Sequence, residues 1–404
     1  MFTTFHDTNM FMKIFCCLIL VVGIHFETSD GQTAETETQS DVFMTETVID
    51  SCDDFGKAVE STLNGDVEIL MHPFADIECL NFTTFNLTSG NKLTIHSSEN
   101  LDNYHGSSSF VNVRLNVQSG SSLTVENNVL FHTPNRDHED LPDVNGGSFV
   151  IGEGSEVRFL NDFKTQFIGV RSQTEESSDF ANHQNSGGVI YNLGKFVVTG
   201  MANFESCENS GGGESSPGPG GCVYNEGNML FKSGVEMSDV SITDDEGNNG
   251  AGFYNLGTVR VSGKSRFSRM RAETAGAIYN GEGSRFVFRE GVSVLFSECT
   301  ASDGVAGSIF NSGYMKFTGP TLFLEGRSYY QGGAIVVDDT GFTKLSKDSV
   351  FYGSLSGDSG APVHVRSGGV FKFWETKTYF IDNFGDGFDN NCYTVYDEND
   401  GCVI

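Results

Sequence analysis

Residues 187–204 read GGVIYNLGKFVVTGMANF, and the chain then returns four times to the same phrase. It appears as GGCVYNEGNMLFKSGVEM at 220–237, GAGFYNLGTVRVSGKSRF at 250–267, GAIYNGEGSRFVFREGVSVLF at 276–296 and GSIFNSGYMKFTGPTLF at 307–323. The aromatic before the asparagine recurs at Tyr191, Tyr224, Tyr254, Tyr279 and Phe310, in steps of 33, 30, 25 and 31 residues. Repeats of this length are single supersecondary units that bury their apolar face only by stacking on a neighbour. One coil of a parallel β-helix takes about this many residues.

Aligned units show columns. The residue before the aromatic is Ile190, Val223, Phe253, Ile278 and Ile309, with Ile335 continuing in GGAIVVDD. After the asparagine and a glycine comes an alternating stretch with apolar columns Phe196, Met229, Val259, Phe286, Met315 and Val198, Phe231, Val261, Phe288, Phe317. A third stretch supplies Phe204, Met237, Phe267, Phe296, Phe323 and Phe351. Period-2 alternation with like residues stacked from unit to unit predicts strands that share one interior. Glycines between them mark corners. A degenerate register extends upstream through Leu93, Leu123 and Val157 and downstream through Phe371. About ten coils at ~4.8 Å per strand predict an all-β, parallel β-helix on the order of 50 Å long. It would span residues 51–385 as one domain.

Asn192, Asn225, Asn255, Asn280 and Asn311 share parity with the inward column, so they are expected to form a structural amide ladder inside the corner. Tyr191, Tyr224, Tyr254 and Tyr279 have the opposite parity and are expected outside, beside the small residues Val189, Cys222, Gly252, Ala277 and Ser308. Such a file has two readings. It is a stacking strip for sugar rings, or the rings stack on one another and stiffen the sheet.

Composition bounds the function. The 404 residues include 49 Gly, 35 Phe and only 7 Pro, which suits short strands and tight turns rather than disorder. A formal net charge of −30 disfavours nucleic acid, whose binding needs a basic footprint. The N-terminal stretch has a signal-peptide pattern, with Lys13 before the apolar IFCCLILVVGIHF, so residues 1–31 are expected to be cleaved or to stay as an anchor. No other run is long enough to cross a bilayer. Residues 32–50 read as an acidic, flexible lead-in, and 386–404 as a C-terminal cap. In an oxidising compartment Cys52–Cys79 and Cys392–Cys402 would staple the two ends, and Cys207–Cys222 is a further pairing. The sequons at Asn81 and Asn86 are candidate glycosylation sites. These features point to a secreted or cell-surface protein.

The GGAI-type corner, closest to form at Gly332, followed by an F-x-x-x stretch resembles the repeat of chlamydial polymorphic outer-membrane proteins. More broadly, residues 60–385 are similar to the right-handed parallel β-helix, or pectin-lyase-like, superfamily. The fourth position of the F-x-x-N repeat departs from that pattern, holding Cys207, Val240, Met270 and Cys299. The resemblance implies either an adhesive, non-enzymatic β-helix or a polysaccharide lyase, hydrolase or epimerase. None of the polygalacturonase, alginate-epimerase or pectin-methylesterase signatures is present in this sequence.

For the enzymatic alternative the candidate residues are Asp338, Asp339 and Arg366, with Lys344 and His364 one coil away. A basic island at Arg260, Lys264, Arg266, Arg269, Arg271, Arg285 and Arg289 suits an acidic polymer, yet alignment sets Arg269 between Asp239 and Glu298 and Arg266 beside Glu236, where ion pairs suffice. The acidic residues Asp386, Asp389, Asn390, Asp397, Glu398 and Asp400 are the one place where Ca²⁺ would bind, although EF-hand spacing is absent. No cofactor or other metal is expected. The expected function is a non-enzymatic β-helix that binds an extracellular polysaccharide or a surface protein through a sheet face.

Overall fold

Each repeat unit folds as four short strands, and the corners between them fall where the sequence can turn. A computed structural model of the protein describes residues 48–394, apart from 73, 89, 98–106, 119, 134–145, 162–163, 175–186, 212–218, 243–248, 290, 375–376 and 386–391. In the unit that begins at Gly220 the strands are Val223–Asn225, Asn228–Phe231, Val235–Ser238 and Ser241–Ile242. Each pairs in parallel with its counterpart in the next unit, so that Tyr191, Tyr224, Tyr254, Tyr279 and Phe310 share one register position. The fold is an all-β parallel β-helix of about nine turns.

The strand after the Asn–Gly corner builds a twelve-stranded sheet. The asparagine strands and the phenylalanine strands form two ladders, joined into one twenty-stranded sheet by the long strands Asp76–Leu87 and Ser108–Val117. The last strand of each unit builds an eight-stranded sheet. The inward columns enclose one apolar interior in which Phe231, Val261, Phe288 and Phe317 have no exposed surface. Along the phenylalanine ladder, Phe267, Phe296, Phe323 and Phe351 stack with ring centroids 4.8–4.9 Å apart and planes within 8°. That separation is the spacing of the strands themselves, so the same residue at the same position meets its copy face to face.

One residue after each phenylalanine strand is left-handed: Gly169, Ser206, Asp239, Arg269, Glu298, Glu325, Gly353 and Asp382 have φ between 51 and 65°. Six of these are not glycine, at a cost on the order of 1 kcal/mol each. The turn sends the following residue inward. This explains the departure from F-x-x-N, because Cys207, Val240, Met270 and Cys299 are buried core residues. At Phe380-Ile381-Asp382-Asn383 the asparagine returns, and its amide donates to Phe351 O at 3.1 Å while its Oδ1 accepts from Ser354 N at 2.9 Å.

An α-helix, Cys52–Ser61, precedes the coils. Ser51 caps it by accepting from Asp54 N at 3.2 Å, with Asp53 and Asp54 in the first turn. Its buried face sets Phe55 edge-on against Phe85 at 5.2 Å and Phe110 at 5.4 Å. The Cys52–Cys79 disulfide ties this helix to the strand Asp76–Leu87. Closing a loop of 27 residues contributes about 3.5 kcal/mol in the chain-entropy picture.

Two boundaries need correction. Val48–Ile49 pairs with Leu70–Met71 and Ile49 is buried, so the solenoid begins inside the stretch read as lead-in. Cys392–Thr394 pairs with Val363–Val365, so a strand of the asparagine ladder lies within the stretch read as a cap. The expected signal at 1–31, the Cys392–Cys402 bridge and the candidate Ca²⁺ ligands of 386–404 lie outside the described residues. Among the described residues no helix is long and apolar enough to cross a membrane.

Candidate functional site

The asparagines lie inside. Asn192 Nδ2 donates to Asn225 Oδ1 at 2.6 Å, and the same bond runs from Asn225 to Asn255, Asn255 to Asn280 and Asn280 to Asn311, each at 2.7 Å. Asn311 passes it to Thr343 Oγ1 at 2.8 Å. All five side chains have no exposed surface. Corner backbone groups take further bonding capacity, as where Gly257 N donates to Asn255 Oδ1 and Gly313 N to Asn311 Oδ1, both at 3.2 Å. The ladder closes the corners.

The tyrosine file lies on the other side of the same strands. Its rings stack on one another at 5.0, 5.5, 4.6 and 5.1 Å from Tyr191 through Tyr224, Tyr254 and Tyr279 to Phe310, with planes within 10°. Tyr224 is fully buried, and its hydroxyl donates to Glu226 Oε1 at 2.5 Å. Burial pushes the Tyr254 hydroxyl up to about 12. Phe310 and Val336 form a satellite cluster with Ala275 and Ala306, against which Tyr279 and Val305 pack. The faces a sugar would stack on are therefore largely occupied by neighbouring rings. The small residues expected beside the tyrosines are a correction: Val189, Cys222 and Ala277 belong to the main core. The left-handed corner residues Gly187, Gly220, Gly250 and Ala275 break the alternation just before them.

Cys207 and Cys222 are free, buried thiols rather than a disulfide, as is Cys299. Cys207 turns inward after the left-handed Ser206, and Cys222 sits in the core column, so both behave as small apolar residues. Burial raises the Cys222 thiol well above its ordinary value, with Cys207 hydrogen-bonded to it adding to the effect. Burial likewise pushes Cys299 up to about 12. Asn81 and Asn86 are both exposed, and Asn86 Oδ1 accepts from Asn116 Nδ2 at 2.8 Å.

Of the candidate catalytic residues Asp338 and Arg366 meet, and Asp339 and Lys344 lie apart from them. Asp338 accepts from Arg366 Nη1 at 2.9 Å and from Ser312 Oγ at 3.0 Å, and Arg366 Cζ lies 5.5 Å from the Phe310 ring centroid. Asp339 is exposed on the following turn, while Lys344 belongs to the twelve-stranded sheet and faces Trp374. His364 extends the outward file by register with Phe310 and Val336, is 1% exposed, and has Nδ1 3.2 Å from Ser359 Oγ. Among the described residues no group of three or more His, Cys, Asp or Glu is arranged to hold a metal.

Burial, aided by the Arg366 charge, brings His364 down to about 4. The fold thus holds the neutral imidazole. Its contribution to stability is complete above the unfolded value of about 6.5 and is lost as pH falls toward 4. Between pH 7 and pH 4.5 this group alone is expected to cost about 2–3 kcal/mol. Urea midpoints of wild type and His364→Gln at the two pH values check it, and an equal drop in both proteins would contradict it.

The outer face of the twelve-stranded sheet differs from both. Of the basic island, Arg269 is bidentate to Asp239 at 2.5 and 2.6 Å, whereas Arg266 stands in register with Glu236 without an ion pair. Arg260 and Arg285 project from the twelve-stranded sheet and are exposed. Downstream on the same face come Lys316 and Lys372, which the inward-column reading of YMKF and VFKF passed over, and between them Lys344, which the sequence placed beside the Asp338 candidates instead. Beside them Tyr314 and Phe342 stack at 5.5 Å with planes 4° apart, and Trp374 is 53% exposed. The signal was available in parity: each lysine lies between two inward residues and so faces out.

No family model, curated protein or solved structure matches this chain. What it shares with β-helical proteins is the parallel solenoid and its ladders.

Proposed function

We propose that this protein is a secreted or cell-surface, non-enzymatic β-helix that binds an extracellular polysaccharide or a surface protein through the outer face of a sheet. The observation that carries the reading is the exposed face of the twelve-stranded sheet, where cations with no carboxylate partner among the described residues stand beside aromatic rings. Secretion is supported by the signal-like pattern of residues 1–31, by the Cys52–Cys79 disulfide and by exposed asparagines at both sequons. Kinship with the pectin-lyase-like superfamily and with the polymorphic outer-membrane repeat is carried by the short Gly-rich corner motifs and the solenoid. No cofactor enters the reading.

The enzymatic alternative, a lyase, hydrolase or epimerase, would draw on Asp338, on Arg366 bonded to it, and on His364, which feels the Arg366 charge. In its favour is their proximity. Against it, both Asp338 oxygens are hydrogen-bonded within the protein and His364 is 1% exposed. A general acid or base must reach the proton it moves. A glycan array probed with the secreted protein tests the reading, with Trp374→Ala and Tyr279→Ala compared. Binding weakened by the first change and kept by the second is expected. Loss with Tyr279→Ala alone would move the site to the tyrosine file, and binding to nothing on the array or on cell surfaces would contradict the reading.

A further inference from the structure

We propose that the outer face of the twelve-stranded sheet, over the strands Tyr314–Phe317, Phe342–Leu345 and Val370–Phe373, is a docking strip for a linear sulfated polysaccharide. This rests on the sheet-face binding reading and specifies its site and ligand. Lys316, Lys344 and Lys372 stand in direct register on those three strands. Neighbouring strands are about 4.8 Å apart, and like charges directly opposite each other destabilise a sheet. Some outward cations elsewhere are answered, as where Lys195 and Arg158 share Glu156, Arg269 has Asp239 and Arg366 has Asp338, while others such as Arg266 have no ion pair among the described residues. What sets this ladder apart is three lysines in direct register. Among the described residues no carboxylate forms an ion pair with Lys316, Lys344 or Lys372, nor with Arg260 or Arg285 on the same face. In a chain of formal net charge −30, no described acid answers that ladder.

Three of these cations rest on aromatic rings instead. Lys344 Nζ lies 4.1 Å from the Trp374 ring centroid, Arg285 Cζ 4.7 Å from Tyr314 and Lys372 Nζ 5.7 Å from Phe342. A ring face steadies a cation without cancelling its charge, so the positive field stays available to an incoming anion. The exposed rings add apolar surface on which a sugar can lie.

Width and pitch choose the ligand. The turns at the two ends of Phe342–Leu345 carry the exposed acids Asp339 and Asp348, and the turn before the adjoining strand Arg285–Phe288 carries Glu282, which narrow the favourable path to a single chain running along the ladder. A broad duplex of nucleic acid would meet those acids. An extended uronate chain offers one carboxylate per sugar on alternating sides, so only every second one faces a given ladder. A polymer with more than one sulfate per sugar can present an anion at each strand, which matches one lysine per strand.

The test uses the full-length protein and a size-defined, highly sulfated heparin dodecasaccharide, with an oligogalacturonate of equal length as comparator. Titration calorimetry would be run at several salt concentrations on wild type, Lys316→Gln/Lys344→Gln/Lys372→Gln and the off-strip control Lys57→Gln/Lys232→Gln/Lys264→Gln. Thermal melts check that each variant is folded. The strip variant is expected to bind the sulfated probe at least 30-fold more weakly, with the control within about 2-fold. Its log–log salt slope should fall by about 2, three contacts at roughly 0.7 each. Trp374→Ala should weaken binding several-fold without changing that slope.

Equal losses in the strip and control variants would overturn the proposal, since diffuse charge would then explain binding. Tighter binding of the oligogalacturonate would overturn the ligand class. Both results leave sheet-face binding standing if Trp374→Ala still weakens a signal on the glycan array. Absence of binding to every glycan and every cell surface would remove the proposal and the reading beneath it together.

Discussion

Replacing Phe296 by alanine is expected to destabilise the protein by about 3–5 kcal/mol, more than any single change on the outer faces. Phe296 has no exposed surface and touches the rings of Phe267 at 4.8 Å and Phe323 at 4.9 Å, with Phe317 edge-on at 6.3 Å. The lost transfer energy of the ring is joined by the cost of a cavity. The two flanking rings are fixed at strand spacing by the backbone ladder, so they cannot collapse into the gap. Equilibrium unfolding in urea checks the value. Phe296→Leu should recover about half of the loss, and Phe296→Ala costing no more than Tyr254→Ala would contradict the assignment of the ladder to the interior.

Changing Asn255 to aspartate is expected to cost about 4 kcal/mol at pH 7, with most of it regained in acid. Asn255 is fully buried between Asn225, which donates to it, and Asn280, to which it donates. The aspartate keeps the acceptor and loses the donor, and as a carboxylate it would be a buried charge without a counter-ion. The fold therefore raises its pKa above the unfolded value of about 3.9, by several units for a buried group. Stability with the protonated acid is fully present below about 3.9 and is lost as pH rises. At pH 7 the loss amounts to about 3 units, or about 4 kcal/mol. Comparing Asn255→Asp with wild type at pH 4 and pH 7 checks it. A penalty independent of pH would mean that the amide is not enclosed as described.

Most of the solenoid was legible because its grammar is local. Parity along each strand and identity between units point to Phe231, Val261 and Phe288 as core and to Asn225 and Asn255 as a stack, and a parallel ladder keeps that register. The helix Cys52–Ser61 was missed although Ser51-Cys-Asp-Asp carries a capping signal and Phe55, Ala58 and Val59 recur at helical spacing. It occurs once, so no repeat announces it. The left-handed corners could not be foreseen from residue type, since Arg269 and Glu298 are poor candidates for positive φ and adopt it because the coil demands a turn there. Parity failed at Val189, Cys222 and Ala277 for the same reason: a corner resets which side is inside.

The proposed binding face was the least legible part. The eye follows apolar columns inward, and Lys316, Lys344 and Lys372 are the residues between them. Their meaning depends on knowing what does not pair with them, which requires every neighbouring strand in place. By contrast Arg269 and Asp239, placed together by alignment, do meet. The basic island read from sequence joins arginines that the fold distributes over more than one sheet, with Arg266 on the phenylalanine ladder and Arg285 on the twelve-stranded sheet.

The most direct test of binding without catalysis is the chain-length distribution of a sulfated polysaccharide before and after long incubation with saturating full-length protein. Size-exclusion chromatography with light scattering would follow both the complex and the polymer recovered from it. A complex whose polymer is recovered at unchanged length, with no new reducing or unsaturated ends, is the predicted result. Shortened chains or new chain ends, lost when Asp338 is changed to asparagine, would contradict it and make the Asp338–Arg366 cluster an active site.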